Sequence, residues 1–268
     1  MIKLNGNIVN VKQFPDGTLL LKEDASCLKD QKIVITWLFE NNEELITLIY
    51  LVEHFKNHGI ANIYLKMPYI PNARQDRVES SKDVFTLKYF ASIINSLEFG
   101  SVTVLDPHSS VSEALINNIV IEHPDTYIKE VIKKVEKDKD SALMFYPDIG
   151  AMKRYSKMFN SPYVFGIKNR DWETGEIIGL EVSGMVDLVK GSKIIIVDDI
   201  CSYGGTFYFS AKKLKELGAK EIYLYISHCE NTILKGKVLT SGLIEKVFTT
   251  NSIFTKQHEK IEVFEYDE

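Results

Sequence analysis

Lys193-Ile194-Ile195-Ile196-Val197-Asp198-Asp199-Ile200-Cys201-Ser202-Tyr203-Gly204-Gly205-Thr206-Phe207 decides how this chain folds. Four β-branched residues behind a lysine predict a short strand buried on both faces of a parallel sheet. The run stops at two adjacent carboxylates, Asp198 and Asp199. A tight turn follows, Ser202 to Thr206. Then comes a helix with apolar positions Phe207, Ala211, Leu214 and Leu217, and Gly218 as its stop. Two acids at the end of an apolar strand must be solvated or paired. Carboxylates accept hydrogen bonds from the vicinal hydroxyls of a sugar. A glycine turn running into a helix N-terminus wraps backbone amides around an anion. One stretch therefore offers what a ribose phosphate needs.

Outward from this stretch, strands alternate with helices. Upstream, strands are expected at Ile8–Val11, Ile33–Phe39, Ile63–Met67, Val102–Leu105, Ala142–Tyr146 and Tyr163–Ile167. Helices are expected over Glu43–His58, Asp83–Leu97 and Thr126–Lys139, with Gly59 stopping the first. Two short strands, Ile177–Val182 and Met185–Leu188, precede the central stretch. Others follow near Ile222–Ile226, Val247–Thr249 and Ile261–Phe264. This alternation predicts α/β architecture with a doubly wound, mostly parallel sheet. The charged helix ending at Lys139 closes a first domain, 1–140, and leaves 141–268 as a second.

Composition excludes several classes. At 268 residues with 45% hydrophobic and 26% charged side chains, the chain has the balance of an ordinary globular protein. A net charge of −5 offers no concentrated basic face for nucleic acid. No apolar run reaches membrane-spanning length, and MIKLNGNIVN lacks the basic start and apolar core of a signal peptide. Cys27, Cys201 and Cys229 are scattered without metal-ligand spacing, as expected in a reducing cytoplasm.

Asp198–Thr206 resembles the ribose-phosphate loop of type I phosphoribosyltransferases and of ribose-phosphate pyrophosphokinases. Ala73-Arg74-Gln75-Asp76-Arg77 separates the two branches. Arginine's planar fork suits polyphosphate oxygens, and glutamine reaches a purine edge or a ribose. The run Met67–Arg77 resembles the ATP-binding segment of the pyrophosphokinases, which simple phosphoribosyltransferases lack. Further matches fall in that family's order. Phe14-Pro15-Asp16-Gly17 is similar to its adenine-binding turn, lent by a neighbouring subunit. Asp106-Pro107-His108 resembles the D-L-H segment, whose His holds Mg²⁺ and ATP phosphates. Pro147-Asp148-Ile149-Gly150, with Arg154 beyond it, resembles the P-D-x-G segment, whose Asp serves metal and substrate. Lys168-Asn169-Arg170 resembles the K-R-R at the root of the mobile catalytic loop, with Asp171–Gly175 as the flap.

The resemblance implies two packed type I phosphoribosyltransferase-like domains and a homo-oligomer, dimer or hexamer, with a shared active site. It implies transfer of the β,γ-diphosphate of ATP to the anomeric hydroxyl of a ribose phosphate, with Mg²⁺ as cofactor and AMP as leaving group. Phe14, Asp16, Arg74, Gln75, Arg77 and His108 would hold ATP, and His108 and Asp148 the metal. Asp198, Asp199, Ser202, Tyr203, Gly204, Gly205 and Thr206 would hold the sugar phosphate. Lys168 and Arg170 would be catalytic. Neither nucleic acid nor membrane is an expected partner.

The departures are specific. The family's phosphate loop reads D-x-x-D-T-G-G-T, whereas Ser202 and Tyr203 stand here for its second Asp and first Thr. Thr18 stands where the adenine turn has Glu. The region after His108 lacks the family's segment for oligomer contacts and allosteric phosphate. A pocket reshaped by Tyr203 motivates a second acceptor, ADP-ribose, whose 1-diphosphate would feed nicotinamide nucleotide salvage. Two alternatives stay open. One is a type I phosphoribosyltransferase that consumes the diphosphate. The other is a non-catalytic regulatory subunit of the synthetases.

Overall fold

Strands and helices sort into two compact units, Met1–His123 and Pro124–Glu268. The computed structural model describes every residue except 27, 29–30, 137–140, 160, 171–176 and 267–268.

In the first unit β1 (Ile2–Leu4), β2 (Asn7–Ile8), β3 (Lys12–Gln13), β4 (Leu19–Leu20) and β5 (Ile33–Trp37) precede α1 (Glu43–Asn57). Then come β6 (Ile63–Lys66), α2 (Thr86–Ser96), β7 (Val102–Leu105), α3 (Ser110–Leu115) and β8 (Ile119–Glu122). The sheet order is β2-β1-β5-β6-β7-β8, parallel from β5 to β8, with β1 antiparallel to both neighbours. The expected strand Ile8–Val11 is replaced by β2 and by the separate β3–β4 ribbon, which pairs Lys12 with Leu20. Helix α1 buries Leu48, Leu51, Val52 and Phe55 in one cluster with Ile33, Ile35 and Trp37. It stops at Gly59, where the Ile60 amide donates back to the Phe55 carbonyl at 3.0 Å, a glycine-terminated turn.

In the second unit α4 (Asp125–Val135), β9 (Leu143–Tyr146), α5 (Ile149–Tyr155), β10 (Tyr163–Arg170) and β11 (Ile177–Gly184) lead to β12 (Lys193–Cys201). After β12 come α6 (Gly205–Glu216), β13 (Glu221–Cys229), β14 (Lys246–Thr250) and β15 (Ile261–Phe264). The order is β11-β10-β9-β12-β13-β14-β15, with only the β10–β11 hairpin antiparallel. The units divide between His123 and Pro124 rather than after residue 140. The reason is that α4 buries Ile128, Val131 and Val135 in one cluster with Met144, Tyr146 and Tyr155. Buried Lys193 caps the end of that helix, donating to the Val135 carbonyl at 3.2 Å.

The apolar run of β12 is sandwiched, as its composition requires. Ile194 and Ile196 join Phe207, Ala211 and Leu214 of α6, while Ile195 and Val197 join α4 and α5. Two local expectations need correction. The strand does not end at the carboxylates: Asp198 pairs with Ile226, Ile200 with His228 and Cys201 with Cys229, because β13 runs equally far. The two strands expected over 177–188 are one strand, β11, followed by a 3₁₀ turn at Val186–Leu188. Among the described residues no helix is long and apolar enough to cross a membrane.

Candidate active site

Parallel sheets bind ligands beyond the carboxyl ends of their strands. In the second unit β10, β9 and β12 are neighbours, so the loops after them share one edge. That edge gathers Asp148 after β9, Lys168–Arg170 at the end of β10, and Asp198 to Thr206 at the end of β12. Lys168, Asn169 and Arg170 continue β10 past Phe165, its last residue in register with β9, and pair with Leu180, Gly179 and Ile177. The flap expected at Asp171–Gly175 lies outside the described residues.

Side chains alternate along a strand, so Asp198 and Asp199 leave β12 on opposite faces. Asp198, half-buried, lies on the face shared with Ile194 and Ile196, toward α6. Asp199 is only 4% exposed. Its Oδ2 meets Arg154 Nη1 of α5 at 3.0 Å, and its amide donates to Asp198 Oδ1 at 3.0 Å. Asp148 is the N-cap of α5, accepting from the Ala151 amide at 3.0 Å. Burial, then the charges of Asp199 and Asp148, push the Asp198 carboxyl well above the ordinary carboxylate range.

A raised folded-state pKa means the folded protein holds the proton more tightly than the unfolded chain. Stability is then full below the ordinary carboxylate value and declines as pH rises through the raised one. Asp198→Asn, which removes the charge and keeps the shape, is expected to raise the Tm of the ligand-free protein by roughly 2–4 °C at about pH 8. The gain should vanish near about pH 2.5, below the ordinary carboxylate value, where the aspartate is neutral in both states. Thermal unfolding at the two pH values checks this.

The turn into α6 is shaped by what lies behind it. Gly204, the N-cap of α6, has φ +78°, and a Cβ there would stand 2.3 Å from Val238 Cγ2. At Gly236 a Cβ would stand 1.9 Å from the carbonyl oxygen of Tyr203. Ser202 Oγ lies 3.3 Å from Thr232 Oγ1. The segment 232–238 thus fixes the turn from beneath, so that the first amides of α6, which have no intrahelical acceptor, open the cup. Tyr203 is 57% exposed. Thr232, Gly236 and Val238 were not singled out in the sequence, since no short-range pattern ties them to residues thirty positions upstream.

In the first unit β6 and β7 are adjacent, and the loops after them are tied by Leu105, whose amide donates to the Pro68 carbonyl at 3.0 Å. The arginine segment and Asp106–His108 therefore share one edge. Arg74 and Arg77 are exposed, and Arg77 Nε lies 3.0 Å from Glu79 Oε1. Gln75 Oε1 accepts from the Thr86 hydroxyl. His108 is half-buried behind Asp106, itself buried with φ +41°, an uncommon conformation for a side-chain-bearing residue. In the β3–β4 turn Phe14 is 49% exposed. Asp16 Oδ1 accepts from the Thr18 hydroxyl at 2.7 Å and the Thr18 amide at 3.0 Å. The hydroxyl bond, then the amide bond, holds the Asp16 carboxyl below its ordinary value. Thr18 therefore serves the turn itself.

His108 belongs to the first unit and Asp148 to the second. Among the described residues no three His, Cys, Asp or Glu side chains gather closely enough to hold a metal ion.

Residues 2–97 match the family model for the N-terminal domain of ribose phosphate pyrophosphokinase. The ribose-phosphate pyrophosphokinase of Pyrococcus abyssi is 29% identical over 271 aligned residues, covering 99% of this chain and 91% of that one. The chain is similar to the ribose-phosphate pyrophosphokinases. The protein of the same name from Bacillus caldolyticus is 28% identical over 262 residues, 94% of this chain and 80% of that one. The phosphoribosylpyrophosphate synthetase of Mycobacterium smegmatis, known from a crystal structure, shares the fold. Its TM-score is 0.80 at 18% identity, over 96% of this chain and 86% of that one.

Proposed function

We propose that this chain transfers the β,γ-diphosphate of MgATP to the anomeric hydroxyl of a ribose 5-phosphate. The sugar oxygen forms a bond to the β-phosphorus, the bond from that phosphorus to AMP breaks, and the hydroxyl proton passes to solvent. The observation that carries this reading is the edge where Asp198, Asp199 and the turn into α6 stand beside Asp148 and the end of β10. Asp198 and Asp199 hold the ribose hydroxyls, and the amides of Ser202 to Thr206 with the Thr206 hydroxyl hold the 5-phosphate. Arg74, Gln75 and Arg77 hold ATP near His108, with Phe14 and Asp16 of the β3–β4 turn at the adenine in a shared, oligomeric site. An exposed pair such as Arg77–Glu79 is worth about 0–1 kcal/mol, so a phosphate displaces it readily. Asp148 would help hold the Mg²⁺ of MgATP with a hard carboxylate oxygen, and the ion would supply positive charge against the phosphates. Lys168 and Arg170 neutralise the charge that builds on the transferring group.

Tyr203 favours a second acceptor. Its ring is exposed where the family has a threonine, and it would flank an extension on the 5-phosphate. ADP-ribose supplies such an extension, and its 1-diphosphate would serve nicotinamide nucleotide salvage. AMP release from MgATP with each acceptor decides between them. We expect kcat/KM for one acceptor to exceed that for the other by at least about 10²-fold. No AMP with either would overturn the proposed reaction.

A further inference from the structure

We infer that Arg154 is a positioning residue for the carboxylate of Asp199: by holding Oδ2 from α5 it orients Oδ1 toward the hydroxyls of the acceptor's ribose. This rests on the ribose-phosphate reading given above.

The geometry forms a short chain of contacts. Arg154 Nη1 lies 3.0 Å from Asp199 Oδ2, and both side chains are largely buried. The guanidinium is itself held, stacked 5.5 Å from the ring centre of fully buried Tyr155 and donating to its hydroxyl at 3.4 Å. Asp199 in turn donates its amide to Asp198 Oδ1. The backbone of Asp199 thus fixes one oxygen of the neighbouring carboxylate, while Arg154 fixes one of its own.

Docking the helix does not account for the pair. Ala151 and Tyr155 already bury the apolar face of α5, whereas an ion pair taken out of water costs desolvation that only close geometry returns. A guanidinium also holds a carboxylate along fixed directions, which an ammonium does not. Asp148 begins α5 and Arg154 lies near its end. One helix thus brings a carboxylate to the edge and orients another.

A site that reads a hydroxyl rejects an analogue lacking it far more strongly than a general loss of packing would predict. The test compares ribose 5-phosphate with 2-deoxyribose 5-phosphate, both by calorimetric binding and by AMP release. The wild-type protein is expected to prefer ribose by about 10²-fold or more. Arg154→Met should reduce that ratio below about tenfold, while KM for ATP changes less than about threefold. Arg154→Lys, which keeps the charge without the fork, should fall at least about fivefold below wild type.

An unchanged ratio in folded Arg154→Met overturns the inference. Should that variant fail to fold, an unchanged ratio in Arg154→Lys does so instead. A wild-type protein indifferent to the 2-hydroxyl also overturns it. A wild-type protein that prefers ribose in binding but releases no AMP counts against the diphosphate reaction, and loss of that binding preference in Arg154→Met then still supports the positioning role.

Discussion

Lys168→Ala is expected to lower kcat by about 10²-fold or more, with KM for both substrates within about threefold and Tm within about 2 °C. Phosphoryl transfer asks little covalent chemistry of the protein. It asks for in-line placement and for positive charge where the equatorial oxygens gain negative charge. Residue 168 lies on the extension of β10, next to β9 and one strand from β12. A cation rooted there belongs to the same edge as Asp148 and Asp198. The antiparallel ladder to β11 is made by backbone groups and survives truncation of the side chain, so the loss should fall on turnover. Steady-state kinetics with thermal unfolding on the same preparation checks both halves. Near-full turnover would remove Lys168 from the catalytic role.

Gly236→Ala is expected to lower kcat/KM for the acceptor by about 10²-fold, mostly through KM, and to cost about 1–3 kcal/mol of stability. The added methyl would meet backbone, the carbonyl of Tyr203 at 1.9 Å and its carbon at 2.9 Å, and neither can rotate away. Relief requires the turn at 203–204 to move, and that turn opens α6 and presents the amides proposed to bind phosphate. KM for ATP should change far less than KM for the acceptor, because the segments proposed to bind ATP belong to the other unit. Equal losses for both substrates would mean a general loss of folding.

What was legible in the sequence follows from how local each signal is. Strand β12, its turn and α6 carry their own instructions: a β-branched run, paired acids, glycines and an amphipathic helix with a terminal glycine. The same holds for α1, whose apolar positions and Gly59 predict both its extent and its stop. Interactions between distant segments were not legible. Strand β12 continues through Asp198 and Asp199 because β13 offers backbone partners as far as Cys229. Strand β10 continues through polar Lys168–Arg170 because β11 folds back on it. Helix α3 and strand β8 went unread. Strand β8 is a half-exposed edge of the sheet, so its side chains lack the burial pattern that marks a central strand. Arg154 could be seen beyond a resembled motif, but its partner Asp199 is forty-five positions away. The helix Asp125–Val135 looked like the close of the first domain, and only its apolar partners assign it to the second unit.

The central claim is a diphosphate transfer, and ³¹P NMR of the reaction mixture tests it most directly. MgATP with the preferred acceptor should give AMP and a sugar 1-diphosphate in equal amounts, with neither product accumulating in Asp198→Asn. ADP or orthophosphate in place of AMP, or a ribose transferred to a base without any need for ATP, would contradict the claim.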